Sequence, residues 1–287
     1  MVLSAAPAGT EEIADWIENV ALAIGSGALA TQRLMTLASD WAGVSAVQVN
    51  MALSVMERRE KLLGSRYPFK ISEIAVQKID FDESLIYKSL LFLSRSSTST
   101  PWNSGAIPSA HTDLFEELSA VALKVMLGEG SKALQFGWPS KDGRPSEFYE
   151  AVPWLANQMG VAIGAGYRPP RRKDGGVDLV AWRPFKDGKN GFPIYLVQCT
   201  VQQDFVSKSR DIDLRLWAGW LALDRDPICV LTIPRTVQSN EDWNEVSANV
   251  ILLDRIRLCS LIPILDNAML NEFVSSQVAW LKGLANG

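Results

Sequence analysis

Asp174-Gly175-Gly176-Val177-Asp178-Leu179-Val180-Ala181-Trp182 runs from a polar, glycine-rich start into an apolar stretch. A second run, Pro193 to Val201, follows across the turn Lys186-Asp187-Gly188-Lys189-Asn190-Gly191. Both runs have the length and residue types of buried strands, and the Gly/Asn/Asp segment between them suits a tight connection. Alternate residues of a strand share a face, so Gln198 and Thr200 point the same way. Asp178 opens the preceding strand, where its side chain can meet Gln198 across the pair. An acid in so apolar a setting carries a large free-energy cost unless it binds a metal or accepts hydrogen bonds.

The flanking segments place this pair in an α/β arrangement. A helix is expected from Ser146 to Met159, with Gly160 as its stop and Pro153 as a kink, followed by a Gly/Pro/Arg-rich stretch from Gly164 to Gly176. Beyond the pair the sequence predicts a helix from Asp211 to Leu223 carrying Trp217 and Trp220. Strands at Ile228–Ile233 and Val250–Leu253 follow, then a helix from an Asp266 N-cap to Leu284. Helix, strand, strand, helix, strand, strand, helix is the order of a mixed sheet flanked by helices.

The first half reads as helical. Residues 11–64 carry apolar positions at three- and four-residue spacings, with Glu11, Glu12 and Asp15 suited to a helix N-terminus. Asp40 is placed as the cap of a second helix running through Val44, Val47, Met51, Val55 and Met56 to Gly64. A third helix is expected after Pro68, with Ile71, Ile74, Ile79, Leu85, Leu90 and Leu93 as its apolar set. Residues 94–108, rich in Ser, Thr, Pro and Gly, read as a loop, and a further helix covers Thr112 to Leu127. The division is set near residue 137. Residues 1–137 form a helical domain, a platform for a second copy or a partner protein, and residues 138–287 form the α/β domain.

Composition sets the bounds. Of 287 residues 47% are hydrophobic and 21% charged, as in ordinary soluble proteins. Val20 to Ala30 is too short to span a bilayer and lacks the features of a leader peptide, so no membrane partner is expected and the cytoplasm is the expected compartment. Cys199, Cys229 and Cys259 read as buried free thiols, and His111 as a residue at a helix start. One histidine excludes a His-rich zinc site. The net charge of −4 argues against nonspecific coating of nucleic acid. Between Gly166 and Gly191, however, seven basic residues stand against three acids, and these include Arg168, Arg171, Arg172 and Lys173. No phosphate-binding glycine loop, dinucleotide fingerprint, zinc-ligand spacing or serine elbow appears.

Three pieces in order across residues 147–205 resemble the Mrr-like restriction endonucleases of the PD-(D/E)XK nuclease superfamily. They are Phe148-Tyr149-Glu150-Ala151-Val152 with Leu155, Met159 and Gly160, then Asp174-Gly175-Gly176-Val177-Asp178-Leu179-Val180, then Leu196-Val197-Gln198-Cys199-Thr200. The resemblance implies a restriction-endonuclease-like mixed sheet after the helical region, with Mg2+ or Mn2+ as cofactor. Asp178, Gln198 and the backbone carbonyl of Cys199 would be the metal ligands. Glu150 would be the acid of the first helix, where Tyr149 occupies the family's usual position. Thr200 stands where the family has its catalytic lysine, and Lys208, ahead of Arg210, is the candidate to replace it. Arg168, Arg171, Arg172 and Lys173 would hold the backbone of DNA, with RNA left open. The implied activity is phosphodiester hydrolysis in restriction or anti-phage defence. The alternative is a degenerate nuclease-fold subunit that binds nucleic acid or a partner protein. Trp138 and Trp182 are the aromatic residues expected to flank the cleft.

Overall fold

The computed structural model describes residues 9–24, 27–79, 82–94, 109–139, 143–166, 174–265 and 268–286. Its elements up to the end of the fifth helix are α1 (Thr10–Ala23), β1 (Ala28–Ala30), α2 (Thr31–Ala42), α3 (Ala46–Leu63), β2 (Phe69–Ile71), β3 (Ala75–Lys78), α4 (Leu85–Leu93) and α5 (Ser109–Leu127). Next come β4 (Lys132–Gln135), α6 (Phe148–Met159), β5 (Ala162–Ile163), β6 (Leu179–Trp182), β7 (Ile194–Cys199), α7 (Phe205–Lys208), α8 (Leu214–Trp220) and β8 (Leu221–Ala222). The chain then forms β9 (Ile228–Thr232), α9 (Glu241–Ser247), β10 (Ile251–Leu253), α10 (Arg255–Leu261) and α11 (Ala268–Asn286). Asp266, read from sequence as the cap of the last helix, lies outside the described residues. No helix among the described residues is long and apolar enough to cross a membrane.

The chain forms two compact units. The first comprises Met1–His111, Pro234–Gln238 and Asp254–Gly287, and the second Thr112–Ile233 and Ser239–Leu253. The division therefore falls at residue 111 rather than near 137, and the C-terminal helix belongs with the N-terminal ones. The cause is β4, a strand too short to stand out in sequence, which pairs with β6 and brings α5 into the second unit.

In the first unit, α1 is buried on every side from Ile13 to Ala23, yet it contains Asp15 and Glu18. Arg255 grips Asp15 with two nitrogens, Nη1 to Oδ1 at 2.9 Å and Nη2 to Oδ2 at 2.7 Å. Arg59 Nη1 reaches Asp15 at 2.8 Å and Glu18 at 2.6 Å, and the Tyr67 and Tyr87 hydroxyls donate to Glu18 Oε1 at 2.7 and 2.9 Å. Charges this deep cost several kcal/mol each unless they are paired and hydrogen-bonded, and the two arginines and two tyrosines give every carboxylate oxygen of Asp15 and Glu18 a partner. Asp15 is thus the centre of an ion network rather than a helix-terminus charge.

Two expectations for this unit give way. Asp40 lies inside α2, and the cap of the next helix is Ser45, whose hydroxyl accepts from the Gln48 N–H while its own N–H donates to Gln48 Oε1 at 3.0 Å. The segment expected as a helix after Pro68 is helical only over its last part, α4, and begins as a hairpin, β2 against β3, with β1 on the far edge in the order β1-β3-β2, all antiparallel. Ser72 closes its turn by donating its hydroxyl to the Ala75 carbonyl at 3.0 Å. Ile74 sits on that turn with 79% of its surface exposed, so its apolar character does not report a core position.

The second unit is built on a five-stranded mixed sheet in the order β10-β9-β7-β6-β4. Strands β10, β9 and β7 run parallel, while β7, β6 and β4 are antiparallel. This is the mixed sheet flanked by helices that the sequence predicts. All four residues of β6 are buried, as a strand covered on both faces requires. Val180, Trp182, Ile194 and Leu196 join one core with Phe148, Val152 and Leu155 of α6 and Trp217 and Trp220 of α8. The rings meet edge to face, Trp217 with Trp220 at 5.1 Å and Phe148 with Trp220 at 5.2 Å. Helix α5 touches the opposite parity, where the Ser119 hydroxyl donates to the Thr232 hydroxyl at 3.0 Å. Helix α6 runs on through Pro153, where a kink or restart was expected, and ends as expected at Gly160 in the left-handed region. Trp182 is 1% exposed and belongs to this core, so it flanks no cleft.

Candidate functional site

Strands β6 and β7 pair with Leu179 opposite Val197 and Val180 opposite Leu196. Continuing that register by one residue sets Asp178 opposite Gln198, and residues directly opposite in an antiparallel pair share a face. Their parity is that of Val180 and Leu196, so both lie on the α6/α8 side, at the end where β6 begins. The Asp178 backbone is fixed by three hydrogen bonds. Its N–H donates to the Val197 carbonyl at 2.8 Å, and its carbonyl accepts from the Phe136 and Gly137 N–H groups at 2.7 and 2.9 Å. Gly137 lies so close that a Cβ there would stand 3.3 Å from Asp178 Oδ1.

Among the described residues the carboxylate itself has one direct hydrogen-bond partner, the Cys199 N–H, which donates to Oδ2 at 2.7 Å. Burial pushes the Asp178 carboxyl up to about 6. That hydrogen bond and the Lys208 charge pull it down, while Asp174 and Asp211 raise it further. Asp178 is therefore a buried acid whose charge the Cys199 N–H and Lys208, among the described residues, do not fully offset.

Asp211, which sequence reading missed, organises the rest. It lies between α7 and α8, and its Oδ2 accepts from Gln198 Nε2 at 3.0 Å and from Lys208 Nζ at 2.8 Å. Burial works against its charge, but the Gln198 and Lys208 hydrogen bonds outweigh it and hold the carboxyl below the usual range. With the Gln198 amide turned over, its oxygen would face the Asp211 carboxylate, so this bond fixes which end is which. Gln198 Oε1 is consequently left buried with no hydrogen-bond partner among the described residues. Asp174 caps the turn before the strand, its Oδ1 accepting from the Gly176 N–H at 3.0 Å. Gly176 has φ +80°, and a Cβ there would come within 2.6 Å of the Asp211 carbonyl oxygen. Only glycine lets the two loops approach so closely.

The structure thus brings Asp178, Gln198, Cys199 and Lys208 together and adds Asp211. Glu150 is exposed in the first turn of α6, and its partner is Tyr149, whose hydroxyl it raises through a hydrogen bond. No hydrogen bond or ion pair among the described residues ties Glu150 to Asp178. Thr200 is buried, and its hydroxyl accepts from the Gln202 N–H at 3.1 Å. Arg210, the second candidate for the lysine role, instead pairs with Glu245 of α9 at 2.7 Å. Arg168, Arg171, Arg172 and Lys173 lie outside the described residues. Of the remaining basic patch, Arg183 donates to the Leu127 carbonyl at the end of α5, at 3.1 Å. Trp138 follows Gly137 with 44% of its surface exposed. The three cysteines are free, and the thiols of Cys229 and Cys259 are pushed up to about 11 and 12 by burial.

Among the described residues no group of three or more His, Cys, Asp and Glu side chains is placed to hold a metal ion. A hard divalent cation also takes carboxamide and backbone carbonyl oxygens. The Asp178 carboxylate, the open Gln198 Oε1 and the Cys199 carbonyl are a donor set of that kind. The orphaned Oε1 and the incompletely offset charge of Asp178 are two features that a cation would satisfy. Compared with known proteins, the chain matches no family model, no curated protein and no solved structure.

Proposed function

We propose that the second unit is a divalent-metal-dependent nuclease that hydrolyses phosphodiester bonds of DNA. The observation that carries this reading is the shared oxygen of Asp211. It draws Lys208 to the strand pair that presents Asp178 and leaves the Gln198 oxygen open. The β6–β7 hairpin running on into the parallel β9, with helices on both faces, supports a restriction-endonuclease-like core, and a place in restriction or anti-phage defence belongs to the same reading.

Asp178, Gln198 Oε1 and the Cys199 carbonyl would hold Mg2+ or Mn2+, which supplies Lewis-acid polarisation of the phosphoryl group and a more acidic water when bound. The protein's own groups do the remainder. Lys208 places a positive charge where negative charge grows on the phosphoryl oxygens as water attacks, the task that Thr200 cannot perform. Asp211 holds the Lys208 ammonium and the Gln198 amide in register before substrate arrives. Exposed Trp138, one residue beyond the glycine that touches Asp178, offers a ring face to a base beside the scissile bond.

The test is cleavage of supercoiled plasmid with Mg2+ or Mn2+. Wild type should nick it, and Asp178→Asn and Lys208→Met should each lose about 100-fold or more, the scale for removing a group that stabilises transition-state charge. Cleavage that survives Asp178→Asn would remove the reading. A second reading, a nuclease-fold subunit that binds DNA without cutting it, is favoured by one observation, the buried and hydrogen-bonded Thr200 at the lysine position. DNA binding by a wild type inert with both ions would decide for it.

A further inference from the structure

Two aromatic rings stand exposed beside the elements that hold Asp178. The Phe136 and Gly137 N–H groups both donate to the Asp178 carbonyl, the two-against-one pairing of a bulge, which re-aims the chain as it leaves β4. Trp138 follows directly and keeps 44% of its surface exposed. From α6 the Phe148 ring meets Phe136 edge to face at 6.1 Å, and a Cβ at Gly175 would stand 3.2 Å from Phe148 Cζ. That contact sets the first turn of α6 beside the segment that carries Gly137. Tyr149, next along this turn, is 53% exposed. Phe136 and Phe148 are buried and anchor the two positions. The proposed metal donors lie deeper, for Gln198 is 9% exposed and its open oxygen is buried.

Exposed rings beside a recessed acid suit one strand better than two. In a duplex each base has both faces covered by its neighbours, so a side-chain ring stacks only on a base that is unpaired. A duplex is also stiff over about 150 base pairs and costly to bend into a recess, whereas a single strand enters it freely. Charge points the same way. Duplex binding draws on many phosphate contacts. Here Lys208 is engaged by Asp211 and Arg210 by Glu245, and Arg144 is buried with its guanidinium 4.6 Å from the Phe136 ring centre. Stacking needs no surplus of positive charge. We propose that this site takes single-stranded DNA, with one base stacked on Trp138 and another met by Tyr149. The cut itself rests on the nuclease reading, and the nicking of supercoiled plasmid agrees with both, because negative supercoiling favours local unpairing.

Fluorescence anisotropy of the full-length chain tests the proposal, with chelator present so that nothing is cut. The probes are a labelled oligodeoxythymidine and the same strand paired with oligodeoxyadenosine. The single strand should bind about tenfold or more tightly than the duplex. Trp138→Ala should weaken that binding by about fivefold or more, the scale of one lost base stack, and Trp138→Phe should stay within about threefold of wild type. Tyr149→Ala should weaken it as well. Both rings are exposed, so the melting temperatures of these variants should hardly change. Duplex binding as tight as single-strand binding, or single-strand binding indifferent to Trp138→Ala, would overturn the proposal. So would the absence of binding to either probe below about 100 µM. A wild type that binds one strand in this way yet cuts no plasmid with Mg2+ or Mn2+ would support the proposal and remove only the nuclease reading.

Discussion

Replacing Asp178 by asparagine should make the metal-free protein more stable at neutral pH while disabling the site. The Asp178 carboxyl rises from 3.8 to about 6 on folding, so the folded chain holds this proton more tightly than the unfolded chain does. A shift of about 2 units corresponds to about 3 kcal/mol. That penalty is absent below pH 3.8, grows as the pH rises through the interval, and is fully present above about 6. Asparagine removes it and keeps an oxygen for the Cys199 N–H. A hydrogen bond to a charged acceptor is stronger than one to a neutral acceptor by about 1 kcal/mol, which leaves a net gain of about 2 kcal/mol. Urea unfolding with chelator present, at pH 7.5 and pH 4, reads the difference. The variant should be the more stable at pH 7.5 and should lose that advantage at pH 4. Added Mg2+ should stabilise wild type and not the variant, because only a protein that binds the ion when folded gains from it. An asparagine variant less stable than wild type at pH 7.5, or an advantage that does not change with pH, would refute the account of Asp178 as an incompletely offset charge.

Asp211→Asn should lower cleavage and divalent-ion affinity by about 10- to 100-fold, the usual consequence of removing a residue that orients a ligand. Its stability should change by less than about 1 kcal/mol, since the Lys208–Asp211 pair is partly exposed at 27% and 37%; calorimetric titration with Mn2+ and a melting curve check both. Gly176→Ala should cost about 2 kcal/mol or more, from a left-handed φ and a Cβ forced against the Asp211 carbonyl, and a denaturant series on that variant tests it. Arg255→Met should cost about 3–5 kcal/mol by leaving Asp15 buried against Arg59 alone, as chemical denaturation would show. Asp15 is fully buried, yet Arg255 and Arg59 outweigh that and hold its carboxyl below the ordinary carboxylate value of 3.8. Its contribution is therefore present above pH 3.8 and lost as the pH falls toward the lowered value, so the variant should also unfold at higher pH on acid titration.

The strand pair and its acid were legible because β6 and β7 are continuous apolar runs and Asp178 is the one charge at their threshold. The role of Asp211 was not, because it depends on a fold-back between α7 and α8 that no local pattern encodes; the Lys208-to-Asp211 spacing was its only trace. The hairpin at 69–78 was taken for helix because strands of three and four residues hold too few residues to display a period of two. Ile74, on the turn, added a false apolar position. Asp15 and Glu18 carried a signal that went unused, for acids among apolar residues on every side of α1 require buried cations. Nothing in the sequence pointed to Arg59 and Arg255 as those cations, because their distance along the chain hides the pairing.

The ion pair between Asp15 and Arg255 also bears on synthesis. The two residues are 240 positions apart, which at about 5–20 residues per second separates their emergence from the ribosome by roughly 12–48 s. Through that interval α1 has no arginine at 255 to neutralise it. Every residue of the second unit, which ends at Leu253, has been made before Arg255 appears. The nascent chain therefore holds all of its second unit before it holds all of its first. A fragment ending near residue 137 would keep the acids of α1 and lose one of the two cations that bind them, so it should be held by chaperones or aggregate rather than fold.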